Sequence, residues 1–295
     1  MTIITVCGGK GGTGKSTIAV NIAVLLSSLS SKKKVLLVDL DVDNPCTYTL
    51  LDMTLRESSE IASFKPEISS NKCTLCGECV NYCPTHALVL LPNKLLYIST
   101  LCEGCAACLY VCPYRAISEG SKVIGWIKEA KGKKLDLIVG EVRPGERKSE
   151  EVMERTLKYA LMKVADYEYV ILDAPPGTGR GIYEALKIAD IVLLVTEPTK
   201  LGLHDLKRMY QLVNRLDKPR LLVINKYGLK GGIYDELEDF INQNEIPSIK
   251  IPYDRYLLNA YIQGNVLIEV YPDAPSTKAL IKLTEKIKEI IQERA

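Results

Sequence analysis

The sequence lacks three features that would each assign it to a class of protein. No apolar run approaches the ~20 residues that a membrane-spanning helix requires. The first residues, MTIITVCGGK, have no charged region ahead of an apolar core, so we expect no secretory signal peptide. Basic and acidic side chains nearly cancel, at a formal net charge of +2, so bulk charge does not favour nucleic-acid binding. We therefore expect a cytoplasmic protein with no nucleic-acid partner and no stable membrane insertion.

Cysteine is too scarce for a disulfide-stabilised scaffold, and it is unevenly distributed. The 295 residues contain ten cysteines, whereas disulfide scaffolds are short and cysteine-dense. Eight of the ten lie in two stretches, CTLCGECVNYCP at 73–84 and CEGCAACLYVCP at 102–113. Such clustering is typical of metal ligands, which need the reduced thiols of the cytosol.

The N-terminal residues have the pattern of a phosphate-binding loop. The apolar, β-branched run TIITVCG predicts a buried parallel strand, and TIAVNIAVLLSSL predicts a helix. Between them, Gly9–Ser16 reads GKGGTGKS, which is the P-loop pattern in its expected context. Backbone N–H groups and the helix N-terminus bind phosphate in such loops. Lys15 is expected to reach the β- and γ-phosphates, and the Ser16 hydroxyl to bind Mg²⁺. A glycine turn without a ligand is the alternative, which the flanking strand and helix disfavour.

Lys10 gives this loop a second lysine, so that it reads K-G-G-x-G-K-S/T. Four further motifs occur in order: VLLVDLDVDNP at 35–45, VILDAPPGTG at 170–179, IVLLVTEPT at 191–199 and LLVINKYG at 221–228. With the loop, they resemble the MinD/ParA/Mrp family of P-loop ATPases, which also includes the nitrogenase iron protein. The resemblance covers nearly all of 1–60 and 120–295. It implies a slow ATPase that a partner stimulates.

The resemblance also implies which positions bind ATP and Mg²⁺. The expected ATP contacts are Gly9, Gly11, Gly12, Thr13, Gly14, Lys15, Ser16, Thr17 and the base-reading pair Asn225 and Lys226. The expected Mg²⁺ residues are Ser16, Asp39 and Asp173.

Three residues are implied to be catalytic, namely Lys10, Lys15 and Asp41. Asp41 would orient or polarise the attacking water, and Lys10 would reach the partner's nucleotide across an ATP-dependent homodimer. The segments Asp41–Pro45 and Asp173–Gly179 would act as switch loops that respond to the nucleotide. Ordinary strand-end caps are the alternative reading of Asp39 and Asp41.

The two cysteine stretches repeat the pattern C-x₂-C-x₂-C-x₃-C-P at a constant offset of 29 residues. This is the bacterial ferredoxin spacing, in which the fourth cysteine ligates the other cluster. We therefore assign one 4Fe–4S cluster to Cys73, Cys76, Cys79 and Cys112, and a second to Cys102, Cys105, Cys108 and Cys83. Zinc is the competing interpretation because Cys₄ zinc sites also use C-x₂-C pairs, but two complete repeats ending in Cys-Pro disfavour it. Of the two remaining cysteines, Cys7 is expected in the core, and a redox role for Cys46 stays open.

Alternating strand-like and helix-like runs predict an α/β fold with a mostly parallel, doubly wound sheet. This is the P-loop NTPase class with a deviant Walker A loop. The cysteine region predicts an inserted α+β ferredoxin-like domain at 65–118, in which LVLL-PN-KLLYI forms a hairpin. The ATPase domain then comprises 1–64 and 119–295. The charged segment 141–151, EVRPGERKSEE, is expected to be a solvated loop.

Three functions are compatible with these motifs. The leading hypothesis is an ATPase that couples its nucleotide state to two 4Fe–4S clusters and delivers low-potential electrons to an unknown redox partner. The second is an iron–sulfur carrier or scaffold that gives clusters to an acceptor protein. The third is a positioning ATPase whose clusters are structural. A conduit keeps its iron during redox cycling, a carrier loses iron to an acceptor, and a positioning protein binds membrane or DNA with ATP.

Overall fold

The computed structural model describes residues 1–30 and 34–293. Its strands are β1 Thr2–Cys7, β2 Lys34–Asp39, β3 Arg56–Ile68, β4 Leu88–Leu91, β5 Lys94–Tyr97, β6 Ile117–Ala130, β7 Leu135–Val142, β8 Tyr167–Asp173, β9 Ile191–Thr196, β10 Arg220–Tyr227 and β11 Ser248–Pro252. Its α-helices are α1 Lys15–Leu29, α2 Thr47–Leu50, α3 Glu78–Asn81, α4 Ala107–Val111, α5 Ser149–Leu161, α6 Arg180–Lys187, α7 Lys200–Arg215, α8 Tyr234–Gln243, α9 Arg255–Ile262, α10 Leu267–Val270 and α11 Pro275–Gln292.

The larger sheet has the strand order β11-β10-β9-β1-β8-β2-β7-β6-β3. Its first seven strands, from β11 to β7, are parallel. They are apolar and β-branched, and β9 is buried along its whole length, as strands covered on both faces must be. Separate apolar cores lie on the two faces. The expected α/β class with a mostly parallel sheet is therefore confirmed.

An antiparallel ribbon completes this sheet at one edge. Strand β6 pairs with β7 only from Gly125 to Ala130, with Gly125 opposite Val142 at the carboxyl end of β7. The rest of β6 continues past that end and stays paired with β3 as far as Ile68 and Ile117. The ribbon therefore extends beyond the edge at which the parallel strands end. Both expected domain boundaries, 64/65 and 118/119, fall inside its strands.

The segment 69–116 lies at the far end of this ribbon. It contains the helices α3 and α4 and the expected hairpin, in which β4 and β5 pair antiparallel from Leu88–Tyr97 to Leu91–Lys94. A small apolar core of its own includes Cys79, Leu88, Cys108 and Ile117. The chain thus carries a separate cysteine-containing unit, and its identification as a ferredoxin-like domain stays a prediction.

The last helix packs against the protein. Leu280, Leu283 and Ile287 on α11 are buried in the core on one face of the sheet. Within 1–30 and 34–293, no helix is long and apolar enough to cross a membrane.

Candidate functional site

The P-loop connects β1 to α1 and lies at the carboxyl edge of the sheet. Gly14 has φ +92°, and a Cβ there would lie 2.3 Å from the Asn225 amide nitrogen, so glycine is required for two reasons. The Lys15 amino group, which is almost fully buried, donates to the Lys10 carbonyl at 3.1 Å. The loop therefore folds over its own lysine.

Two residues at the end of β10 fix this loop from the outside. The Asn225 amide donates to the Thr13 carbonyl at 2.8 Å, and the Lys226 amino group donates to the Gly12 carbonyl at 2.8 Å. The expected base-reading pair thus contacts the P-loop directly.

Asp39 and Asp173 end neighbouring strands and face each other across β2 and β8. The Asp39 carboxylate accepts hydrogen bonds from the Asp41 and Cys46 amides and from both the amide and the hydroxyl of Thr47, at 2.8–3.1 Å. Burial raises the pKa of Asp39 to about 6 in spite of these donors. Asp39 therefore anchors the switch loop that follows it, a strand-end role compatible with lying near Mg²⁺.

Asp173 has the opposite character. Both of its carboxylate oxygens are buried and lack a hydrogen-bond partner among the described residues, as do the Thr13 hydroxyl and the Asn225 amide oxygen. Burial raises the pKa of Asp173, and the charge of Asp39 raises it further. The nearby Ser16 side chain offsets part of this rise, although it is not in hydrogen-bonding geometry. Unpartnered buried polar atoms are costly in a native structure. Their convergence around the P-loop fits a site that Mg²⁺ and a nucleotide complete.

Lys15 lies within the field of two carboxylates. Burial lowers its pKa, and Asp173 and Asp41 oppose that shift. Burial raises the pKa of Asp41, while Lys15 lowers it. Lys15 is therefore close enough to Asp41 and Asp173 to interact with both electrostatically, and the roles of the three residues at a nucleotide stay predictions.

Lys10 is held within its own chain by an acid that the sequence motifs did not single out. Its amino group pairs with Glu197 Oε1 at 2.5 Å, and Lys226 pairs with Glu197 Oε2 at 2.8 Å. The Glu197 side chain is 9% exposed, against 28% for Lys10. Burial raises the pKa of Glu197, but the two lysines outweigh it and lower the pKa, so the carboxylate is charged at neutral pH.

A cavity of about 850 Å³ opens beside the P-loop. The sequence motifs did not single out the residues on its far side. Asn225 and Lys226 line one side, and Tyr253, Leu257 and Tyr261 line the other. Asp254 fixes this wall by capping α9 and by accepting from the Ser276 amide and hydroxyl on α11. An apolar, partly aromatic cleft next to a phosphate loop suits a purine base.

The eight clustered cysteines line two separate cavities. The first is lined by Cys73, Cys76, Cys79 and Cys112. The second is lined by Cys83, Cys102, Cys105 and Cys108. Each cavity therefore receives three cysteines from one repeat and the fourth from the other, in the grouping that the spacing predicts.

The two cysteine loops also share an unusual backbone. Positive φ angles occur at Leu75, Gly77 and His86, and again 29 residues later at Gly104, Ala106 and Arg115. The Ala87 amide donates to Cys83 Sγ at 3.2 Å, and the Ala116 amide to Cys112 Sγ at 3.3 Å. Left-handed backbone at residues other than glycine is strained and persists where surrounding structure requires it. Its repetition shows that the two cysteine loops share one backbone conformation.

Burial and the neighbouring thiols disfavour the charged form of the most buried cysteines in these cavities. Burial raises the pKa of Cys79, and the charges of Cys112, Cys73 and Cys76 raise it further. Burial, and then neighbouring cysteines that include Cys79, raise the pKa of Cys108 to about 11. The electrostatic contact between Cys79 and Cys108 means that the two cavities adjoin.

In the part of the chain that the structure describes, no group of three or more Cys, His, Asp or Glu side chains is placed to hold a metal ion. Zinc and iron–sulfur clusters at these cysteines therefore both stay predictions.

The two remaining cysteines are not reactive thiolates. Burial raises the pKa of Cys7 to about 12 and that of Cys46 to about 11. Because the thiolate is the reactive form, both side chains stay inert at neutral pH.

Comparisons with known proteins agree with the nucleotide site. Residues 4–268 match the family described as the CobQ/CobB/MinD/ParA nucleotide binding domain. An uncharacterized protein of Methanocaldococcus jannaschii is 36% identical over 273 residues, which cover 91% of this chain and 92% of the relative. An iron-sulfur cluster carrier protein of Pyrococcus horikoshii is 23% identical over 98% of this chain and 86% of its own.

A solved structure gives the same fold. The septum site-determining protein MinD from Pyrococcus horikoshii, in complex with Mg-ADP, aligns with a TM-score of 0.61 and 18% identity over 100% of this chain and 98% of that chain. The family match runs through residues 65–118 without identifying a separate domain there. The chain therefore belongs to the CobQ/CobB/MinD/ParA nucleotide-binding family, as a MinD/ParA-type P-loop ATPase.

Proposed function

We propose that this protein is an ATPase whose nucleotide state controls electron delivery from two 4Fe–4S clusters to a redox partner. The observation that carries the proposal is the ribbon of β3 and β6. It begins inside the ATPase sheet and extends past the carboxyl edge, where the P-loop lies, to the segment with both cysteine cavities. Nucleotide chemistry and cluster chemistry are thus joined by two continuous strands.

ATP hydrolysis uses the residues gathered at the sheet edge. The P-loop binds the phosphates, and Lys15 stabilises the charge that develops on the transferred phosphoryl group. Ser16 and Asp173 hold Mg²⁺, because the oxygens of Asp173 are buried and unpartnered among the described residues. Asp41 orients the attacking water from a loop that Asp39 anchors. Tyr253 and Tyr261 enclose the base with Asn225.

Dimerisation depends on Lys10. In the proposed ATP-bound homodimer, Lys10 leaves Glu197 and contacts the nucleotide of the partner subunit. The contact is reciprocal, because a two-fold interface uses the same residues from both subunits. The two Lys10 side chains, one from each subunit, neutralise negative charge on the bound nucleotides, so ATP becomes part of the interface.

The cysteine cavities hold the clusters. Cys73, Cys76, Cys79 and Cys112 hold the first, and Cys83, Cys102, Cys105 and Cys108 hold the second. When bound, such clusters carry single electrons at potentials set by their surroundings. Each cavity has one buried cysteine, Cys79 or Cys108, and one exposed cysteine, Cys76 or Cys105. The buried cysteines favour retention of the clusters, as a conduit requires.

A second candidate function is supported by one comparison. The chain is 23% identical to a protein named as an iron-sulfur cluster carrier. In that case, ATP binding would release a cluster to an acceptor, and the cavities would open during the cycle.

Iron retention distinguishes the two functions. We would reduce and reoxidise the anaerobically purified protein repeatedly with MgATP, in the presence of an apo-ferredoxin. The proposal predicts that iron stays with this protein while its electrons are lost and regained. Appearance of iron in the apo-ferredoxin would favour the carrier, and a protein purified without iron would refute both. The substitution Cys46→Ser is a control: Cys46 lies outside both cavities, so its replacement should leave the iron content unchanged.

A further inference from the structure

Lys148 packs against the loop Cys102–Cys105, whose cysteines line the second cavity. This lysine precedes α5, and its side chain is 12% exposed. Its amino group donates to the Ser63 hydroxyl at 2.6 Å, and that hydroxyl donates to Glu151 at 3.2 Å. A Cβ at Gly104 would lie 3.0 Å from the same amino group and 2.7 Å from Ser63 Oγ. Lys148 is therefore packed against the backbone of the loop that begins at Cys102.

That loop is sensitive to such a contact. Gly104 has φ +72°, and its amide donates to Cys102 Sγ at 3.4 Å. On the same side, Glu146 forms an ion pair with Lys122 on the ribbon and lies in the electrostatic field of Tyr97, which interacts with Cys102. The segment 143–148 thus packs against the loop of the second cavity at Gly104, although the sequence predicted a solvated loop there.

The next residue along the chain contacts the switch loop. The Ser149 hydroxyl donates to Asp43 Oδ1 at 2.7 Å, and the Val142 amide donates to the Val42 carbonyl at 2.9 Å. A cavity of about 480 Å³ separates this loop from Pro175 and Pro176 in the second switch segment and leaves space for movement. Of these two adjacent residues, Lys148 therefore contacts the loop of the second cavity and Ser149 contacts the switch loop.

We propose that Arg143–Ser149 is the element through which the switch loop Asp41–Pro45 acts on the second cysteine cavity, with Lys148 as its positioning residue. The inference rests on the proposed function and names its route. Movement of Asp43 displaces Ser149, and Lys148 then shifts against Gly104. The first cavity has no such contact with the loop among the described residues, so the nucleotide acts on the second cavity first.

Hydrogen–deuterium exchange of the anaerobically purified, iron-containing protein tests this route. We expect MgATP to change exchange over residues 102–108 more than over residues 73–79. Lys148→Met, which keeps chain length but removes the donor, should abolish the change at 102–108. Ser149→Ala should abolish it from the other side, and it removes only an exposed hydrogen bond. Lys158→Met, at an exposed position on the same helix, should retain it.

The outcomes separate the route from the function. If MgATP alters 102–108 equally in the wild type and in both variants, the route is refuted while nucleotide coupling stands. If MgATP has no effect on 102–108 even in the wild type, both the route and the coupling are refuted. Should Lys148→Met fail to fold, loss or retention of the effect in Ser149→Ala decides the question.

Discussion

The ion pair between Lys10 and Glu197 yields a prediction about dimerisation. If Lys10 must reach the partner's nucleotide, Glu197 competes with dimer formation by holding it. The substitution Glu197→Gln keeps the shape of the side chain and removes its charge. We therefore expect Glu197→Gln to strengthen the nucleotide-dependent dimer.

The strength of the ion pair between Lys10 and Glu197 follows from how exposed the two side chains are. Lys10 is 28% exposed and Glu197 9%, so the pair lies between a screened surface pair, worth about 0–1 kcal/mol, and a charged hydrogen bond, worth about 1.5–3 kcal/mol. Taking about 1 kcal/mol per subunit, two released lysines contribute about 2 kcal/mol, which is roughly 30-fold in the dimer dissociation constant. Lys226 also loses charge pairing, but its bond to the Gly12 carbonyl remains.

Sedimentation of the wild type and of Glu197→Gln in magnesium AMPPNP measures the dimer dissociation constant without nucleotide hydrolysis. The account predicts tighter association for Glu197→Gln and no difference without nucleotide. Lys10→Met should abolish the gain in the double variant. Equal or weaker association of Glu197→Gln would refute the idea that Glu197 restrains Lys10.

Three other predictions concern the nucleotide and the sheet. Lys15→Ala should abolish phosphate release while iron content stays unchanged. Tyr253→Ala should weaken MgADP binding in calorimetry by about 1–3 kcal/mol, the usual value of stacking a base on an aromatic ring, whereas Tyr110→Ala, in the cysteine unit, should not. Asp136 accepts from the Tyr167 hydroxyl at 2.9 Å; burial raises its pKa, but Tyr167 and the other donors outweigh it, so the pKa is lowered. Its contribution to stability is therefore present above the unfolded pKa of about 4 and is lost as the pH falls further. Asp136→Asn should cost about 1–3 kcal/mol in urea unfolding at pH 7, and the difference from wild type should shrink toward pH 3.

The parallel sheet was predictable because its strands are buried on both faces. Runs such as Ile191–Thr196 contain little besides β-branched and aliphatic residues, and they are buried throughout. The ribbon was not predicted, because β3 is mostly polar and begins with three consecutive exposed residues, without the apolar alternation that indicates a strand. Helix α7 begins at Lys200, because the Thr199 hydroxyl accepts from the Gly202 amide and caps the helix.

The nucleotide site also has residues that the sequence predicts and residues that it does not. Phosphate binding imposes residue types at fixed spacing, so Lys15 and Asp173 are visible in the sequence. Glu197 and Tyr253 are not, because their roles come from strands and loops that meet only in the folded chain. Asp39 was expected near Mg²⁺, and it accepts one hydrogen bond from Asp41 in the switch loop and three from Cys46 and Thr47, directly after that loop. This structural role is not revealed by spacing alone.

An anaerobic potentiometric titration followed by EPR, with and without MgATP, measures whether the nucleotide state alters the iron–sulfur sites. We expect MgATP to shift the reduction potential by about 60 mV or more, which corresponds to about 1.4 kcal/mol of coupling for one electron. Identical potentials with and without MgATP, in a protein that keeps its iron, would show that the nucleotide does not act on the clusters.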